Sequence, residues 1–193
     1  MMADKRPKKT TDDEDPPSLA DAGLHVLFDE ITLESAKAFT EFVLEANLKP
    51  SKEAPPHLNL LINSEGGDVF ACFAIVDAMR GSRIPVHTTG LGLIASSGLI
   101  IFMAGAKGHR VVTPNTSILS HQYSSWGGGG KHHELLAMQK HHTLLHKLLL
   151  NHYKLCTGLT EKQITKSLLP PEDVWLTPDE AVDLGVADEV RRM

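Results

Sequence analysis

Cysteine is nearly missing from this chain of 193 residues, which holds Cys72 and Cys156 and no others. Two thiols build no disulfide framework and fit no zinc-ligand spacing, so both read as ordinary half-buried thiols in a reducing, cytoplasmic compartment. Positive charge is short as well: 19 Lys and Arg against 24 Asp and Glu give a net charge of −5. Without a basic stripe, a nucleic-acid-binding role is excluded. Long hydrophobic runs are lacking too. The uncharged stretch from Thr88 to Ala106 comes close to the about 20 residues of a membrane span, but its segments TTGLG and ASSG are too polar, and no membrane segment is expected. Residues 1–22 carry four Lys or Arg and six Asp or Glu with no apolar run behind them, so no signal peptide is expected. Neither a Walker lysine nor a GxGxxG pattern occurs, which leaves phosphate binding without its usual motifs.

What is present suffices for one domain: 41% hydrophobic residues in a chain of this length make a real core. Residues 1–22 are expected to form a disordered charged tail and 23–193 the folded domain. LHVLF (24–28) predicts a strand. Thr32 then caps a helix to about Asn47 that turns Ala36, Phe39, Phe42, Val43 and Ala46 to one side. LNLLI (58–62) is nearly continuous in apolar residues, as in a strand covered on both faces. A helix over 69–80, a strand over 84–90, a turn and an apolar helix over 96–104 follow. Short strands are expected at 109–113 and 117–120, and the longest helix at about 131–156, behind the glycine run Gly127 to Gly130. Thr160 and Thr177 open capping boxes, and VADEV (186–190) is a last strand. Alternation of this kind predicts an α/β fold with parallel crossover units.

Two glycine-containing turns sit between a strand and a helix, where α/β folds gather reactive groups. Asn63-Ser-Glu-Gly-Gly-Asp68 offers unobstructed backbone N–H groups, although its composition also fits a plain tight turn. In Gly92-Leu-Ile-Ala-Ser96-Ser97-Gly98 a serine stands at a helix start, beside free N–H donors that suit a nucleophile generating an oxyanion. Taken alone, Ser96 or Ser97 simply capping the helix is the commoner role, and the spacing is not that of the G-x-S-x-G elbow. His121 ends the segment SILS and offers a base. Asp173, on a connection stiffened by Pro170 and Pro171, offers an orienting carboxylate.

These segments resemble the proteolytic subunit of the Clp proteases, serine peptidases of the Clp/crotonase fold. INSEGGDV (62–69) stands for the family's INSPGGSV, IASSG (94–98) for AASMG, and MAGAKGHR (103–110) for TAGAKGKR. PNTSILSHQ (114–122) stands for PNSRVMIHQP, and TGLTEKQI (157–164) and DVWLTPDEAVDLGVADEV (173–190) match its closing blocks. The resemblance implies a Clp/crotonase-like spiral of β-β-α units with a protruding strand–helix handle at about 122–156. It implies Ser96 as nucleophile, His121 as general base and Asp173 as its orienter, with the N–H groups of Gly67 and Ser97 as oxyanion hole. Two extra residues between Thr157 and Asp173 leave Glu172 as the alternative third member. No cofactor and no metal ion is implied.

The implied activity is cleavage of unfolded proteins or short peptides inside a self-assembled chamber of heptameric rings, as a tetradecamer. An AAA+ unfoldase would be the partner, but the family's Tyr-x-Tyr-Ile-Asn is Asn59-Leu-Leu-Ile-Asn63 here, and residues 1–22 show no axial-loop segment. These departures suit a divergent member, such as a virally encoded one, acting on its own. The alternatives are a crotonase-like acyl-CoA enzyme and a catalytically silent subunit of a mixed ring. In the long helix Leu135, Met138, His142, Leu145, Leu149, His152 and Cys156 recur at three- and four-residue spacing, which predicts a seam for another helix. Histidines in such a seam would make assembly sensitive to pH.

Overall fold

A computed structural model describes residues 18–124 and 129–192. Residues 1–17 of the expected tail, and Gly127 and Gly128 of the glycine run, lie outside the described residues. Residues 18–22, assigned to the tail from sequence, form a turn closed by hydrogen bonds from Ala22 N to Ser18 O and from Leu24 N to Leu19 O. β1 (Leu24–Leu27) follows, then α1 (Leu33–Leu48), whose N-terminus is closed by a reciprocal Thr32–Ser35 capping box. The buried face of α1 is Ala36, Phe39, Phe42, Val43 and Ala46, as its periodicity predicts.

β2 (Leu58–Ser64), α2 (Val69–Gly81), β3 (Val86–Ala95), α3 (Ser97–Met103), β4 (Arg110–Val112) and β5 (Ser117–Ser120) come next. α4 (His132–Thr157), α5 (Glu161–Ser167), β6 (Val174–Leu176), α6 (Pro178–Asp183) and β7 (Glu189–Val190) complete the chain. The sheet runs β1-β2-β3-β4-β7, parallel at every pairing, while β5 pairs parallel with β3 and antiparallel with β6. No helix among the described residues is long and apolar enough to cross a membrane.

Two expectations need correction. β2 alternates: Leu58, Leu60, Ile62 and Ser64 are buried, whereas Asn59, Leu61 and Asn63 are half-buried. The apolar residues join one buried cluster, and β2 turns one fully buried and one half-buried face, so the run is not fully covered on both faces within this chain. The segment after Gly90 is strand rather than turn. β3 kinks at Gly92 (φ 60°), where the Asn63 Oδ1 accepts from Leu93 N at 3.0 Å, and continues to Ala95. Its first half pairs with β4 through Thr88–Gly90, and its second half with β5 through Leu93–Ala95. A side-chain amide inserted into the ladder substitutes for the regular register, which shifts between Ile62 and Ser64.

Arg110 locks the far end of the sheet. Its guanidinium is 2% exposed and donates to both carboxylate oxygens of Asp188, at 2.8 and 2.5 Å, and to Cys156 O at 3.0 Å. Gly108 N and Arg110 N also donate to Asp188 Oδ2. β4, β7 and the end of α4 are thereby joined through one satisfied ion pair.

Candidate active site

The first glycine turn is built against Ile31. Ile31 N donates to Gly66 O and Asp68 N donates to Ile31 O, both at 2.8 Å, which makes Ile31 and Gly67 a parallel bridge. In such a bridge the paired residue turns its own N–H and C=O to the other side. Gly67 has φ 143°, and a Cβ there would run into the backbone of Ile31. At Gly66 a Cβ would stand 2.7 Å from Ser96 Cβ, so the missing side chain lets the two turns meet. Asp68 caps α2 through Phe70 N at 2.9 Å and Ala71 N at 2.7 Å.

The second turn carries Ser96 between β3 and α3. It is the one non-glycine residue with positive φ among the described residues (φ 53°, ψ −122°). Such a conformation costs about 1–3 kcal/mol and persists where neighbours over-determine it. Here Ser96 N donates to Leu119 O at 3.1 Å, and Ser96 O accepts from Leu99 N and Ile100 N. The Ser96 hydroxyl makes no capping bond and the Ser97 hydroxyl donates to Gly67 O, so the side-chain helix-cap reading fails at both serines. Gly67 N and Ser97 N donate no hydrogen bond among the described residues.

His121 directly follows β5, and Asp173 directly precedes β6. The antiparallel register pairs Ile118 with Leu176, Leu119 with Trp175 and Ser120 with Val174, the last rung; His121 and Asp173 are the next residues beyond it on either strand. Glu172 and Gln122 are one residue further on, and the Gln122 Nε2 donates to Leu169 O and Pro170 O. Ser120 Oγ donates to Leu168 O at 2.6 Å and shares a 2.8 Å bond with Tyr153 OH, tying this strand end to α4. No hydrogen bond joins Ser96 to His121, or His121 to Asp173, among the described residues, and Asp173 is exposed.

Comparison with known proteins decides the family. The pattern of the family described as Clp protease matches residues 18–193. The chain belongs to the Clp protease family. It is 32% identical over 165 residues to the ATP-dependent Clp protease proteolytic subunit of Deinococcus radiodurans, covering 86% of this chain and 79% of that one. It is 36% identical over 146 residues to the ATP-dependent Clp protease proteolytic subunit 2 of Thermobifida fusca, covering 76% and 70%. With the subunit 2 of Rhodococcus jostii the identity is 36% over 157 residues, covering 80% and 75%. The mixed α/β architecture, with its parallel sheet and six helices among the described residues, agrees with the Clp fold expected from the sequence.

In this Clp family chain Ser96, Ser97, Gly67 and His121 line one cavity of about 420 Å³. Ile100, Leu145, Leu149 and Tyr153 also line it and are buried. Asp68, Phe70, Tyr123, His141 and His142 line it as well, and the sequence reading gave none of them a place in the site. Phe70 stacks on His141 with ring centroids 5.6 Å apart, and Tyr123 OH donates to His142 O at 3.0 Å. The available signal was position alone: α4 begins eleven residues after His121 and can fold back over it.

The seam expected along α4 also needs correction. From Leu145 onward its members are taken up within the chain, since Leu145, Leu149 and His152 are all buried. His152 is 2% exposed, with Nε2 bonded to Ile100 O at 2.8 Å and Nδ1 to Arg80 Nη2 at 3.0 Å. Arginine only donates, so Nδ1 is the acceptor and Nε2–H the donor of a neutral ring. Burial foremost, then the Arg80 charge, push its pKa down to about 4. A histidine held in this way is no part of an interface between chains. Cys72 is fully buried rather than half-buried, and burial pushes its thiol well above the ordinary range.

Proposed function

We propose that the chain is a serine peptidase in which Ser96 is the nucleophile, His121 the general base and Asp173 the residue that orients it. The observation that carries this reading is the strained, uncapped Ser96 in one cavity with His121 and beside two N–H groups without acceptors. Ser96 Oγ attacks a peptide carbonyl carbon while His121 takes its proton. The carbonyl oxygen becomes an oxyanion, received by Gly67 N–H and Ser97 N–H. The C–N bond then breaks, His121 returns the proton to the leaving amine, and an acyl-enzyme remains. Water, deprotonated by His121, attacks the ester; the acid product leaves and Ser96 regains its proton. Catalytic hydrogen bonds are often open in the absence of substrate and close around it, as this role requires of His121 and Asp173.

Peptide or unfolded polypeptide is the proposed substrate, enclosed by further copies of the chain, because one domain of this size has no lid of its own. Leu144, Leu148 and Leu155 of α4 and Leu33, Leu44 and Leu48 of α1 are more than half exposed, which supports burial against neighbours in a heptameric, double-ring assembly. Relatives carry the name ATP-dependent, but Asn59 and Leu61 occupy the positions of the family's tyrosines on the half-covered sheet face, which favours peptidase action without an unfoldase. A fluorophosphonate probe is expected to label wild type at Ser96 and to leave Ser96→Ala unlabelled. Casein and short-peptide hydrolysis should proceed without added ATPase. An assembled protein whose Ser96 stays unmodified would refute the reading, leaving the acyl-CoA enzyme or the silent subunit.

A further inference from the structure

We propose that the Ser97 hydroxyl is a positioning latch that fixes the separation of the two N–H donors of the site. The proposal rests on the serine-peptidase reading above and goes beyond it, since there Ser97 contributes its backbone alone. Ser97 is 3% exposed and its Oγ donates to Gly67 O at 2.9 Å. This one residue therefore offers a donor through its N–H and holds the residue that offers the other.

Gly67 needs such a hold. It has no side chain, and its φ of 143° lies in a broad region open to glycine. Ile31 fixes the neighbouring groups, Gly66 O and Asp68 N, but touches neither the N–H nor the C=O of Gly67 itself. The Ser97 hydroxyl is the group that engages that C=O, while the Gly67 N–H stays open to the cavity. Ser97 is held in turn: the Cys72 thiol on α2 donates to Ser97 O at 3.4 Å, and burial keeps that thiol protonated. Thus α2, α3 and the glycine turn converge on one buried serine. The family motif AASMG has at this position a methionine, whose side chain donates no hydrogen bond, so the latch belongs to this chain.

The test compares wild type, Ser97→Ala and Ser97→Thr in steady-state hydrolysis of a short peptide and in inhibition by a peptide boronate, a tetrahedral mimic that uses both donors. The expected result for Ser97→Ala is a kcat lowered about ten-fold, less than the about 10²–10³ that follows loss of a whole donor, with KM changed less than about two-fold. Boronate affinity should fall by the same factor as kcat, and Ser97→Thr should restore both to within about three-fold of wild type. A role in folding alone would lower the active fraction and leave the affinity per labelled site unchanged. If Ser97→Ala does not fold, Ser97→Cys, nearly isosteric but a weak donor, carries the same comparison. Unchanged kcat and boronate affinity in Ser97→Ala, or an equal loss in Ser97→Thr, would overturn the latch while wild type stays active. Wild type that neither hydrolyses peptide nor labels at Ser96 would overturn the peptidase reading, and the latch with it.

Discussion

Acidification from pH 7.5 to 4.5 is expected to destabilise the folded chain through its histidines of lowered pKa, of which His152 is the most deeply buried. The ring is neutral, with both nitrogens used: Nδ1 accepts from Arg80 and Nε2 donates to Ile100 O. A second proton would go on Nδ1, break the bond to Arg80 and set a buried imidazolium beside the Arg80 guanidinium. The Cys156 thiol, 3.5 Å from Nε2, offers no counter-charge, because burial raises its pKa. Phe73 and Tyr153 present only their rings. The sign follows from linkage. The folded pKa of about 4 lies below the ordinary 6.5, so the unfolded chain binds the proton first; stability is full above about 6.5 and is lost as pH falls toward 4. At 1.36 kcal/mol per pKa unit that gap amounts to about 3 kcal/mol. Urea unfolding at fixed protomer concentration should show wild type losing about 2–3 kcal/mol more across this range than His152→Gln, which keeps one acceptor and one donor but takes no proton. Parallel pH profiles for the two proteins would refute the reasoning.

Gly67→Ala should abolish peptide hydrolysis by about 100-fold or more, because the new Cβ meets the Ile31 backbone and displaces a proposed oxyanion donor; kcat on a short peptide measures it. Asp188→Ala leaves the buried Arg110 guanidinium without its carboxylate and should cost about 3–5 kcal/mol, read as a lower urea midpoint. Leu148→Glu together with Leu155→Glu should shift the sedimentation profile toward smaller species with unchanged far-UV circular dichroism, since both side chains are exposed in the single chain.

Local order was legible where one residue and its near neighbours decide it. Thr32, Thr160 and Thr177 cap the helices that their sequences announce, and the buried face of α1 follows from period alone. Features made by distant partners were not legible. The kink of β3 depends on Asn63, 30 residues upstream of the Leu93 N–H it receives. His152 has the spacing of a seam residue and is instead claimed by Arg80, 72 positions away, and by Ile100, 52 away. The lining by Phe70 and His141 needs α2 and α4 to meet, and no local spacing encodes that.

The choice between Asp173 and Glu172 shows where tertiary register adds what residue spacing lacks. The two extra residues after Thr157 leave Asp173 as the first choice with Glu172 as the fallback, and spacing alone takes the choice no further. The β5–β6 ladder separates them, because one step along a strand moves a side chain to the opposite face. The last rung sets Val174 opposite Ser120; extended by one rung, the same register would set Asp173 opposite His121, where directly opposed residues have Cβ atoms about 4.5–5.5 Å apart. That separation suits an aspartate–imidazole hydrogen bond. On the same extension Glu172 would fall opposite Gln122, which is anchored to Leu169 O and Pro170 O. Asp173→Asn should therefore lower kcat far more than Glu172→Gln. Equal effects of the two would mean that the register does not carry past its last rung, Ser120–Val174, and that the orienting role has been placed on the wrong strand end.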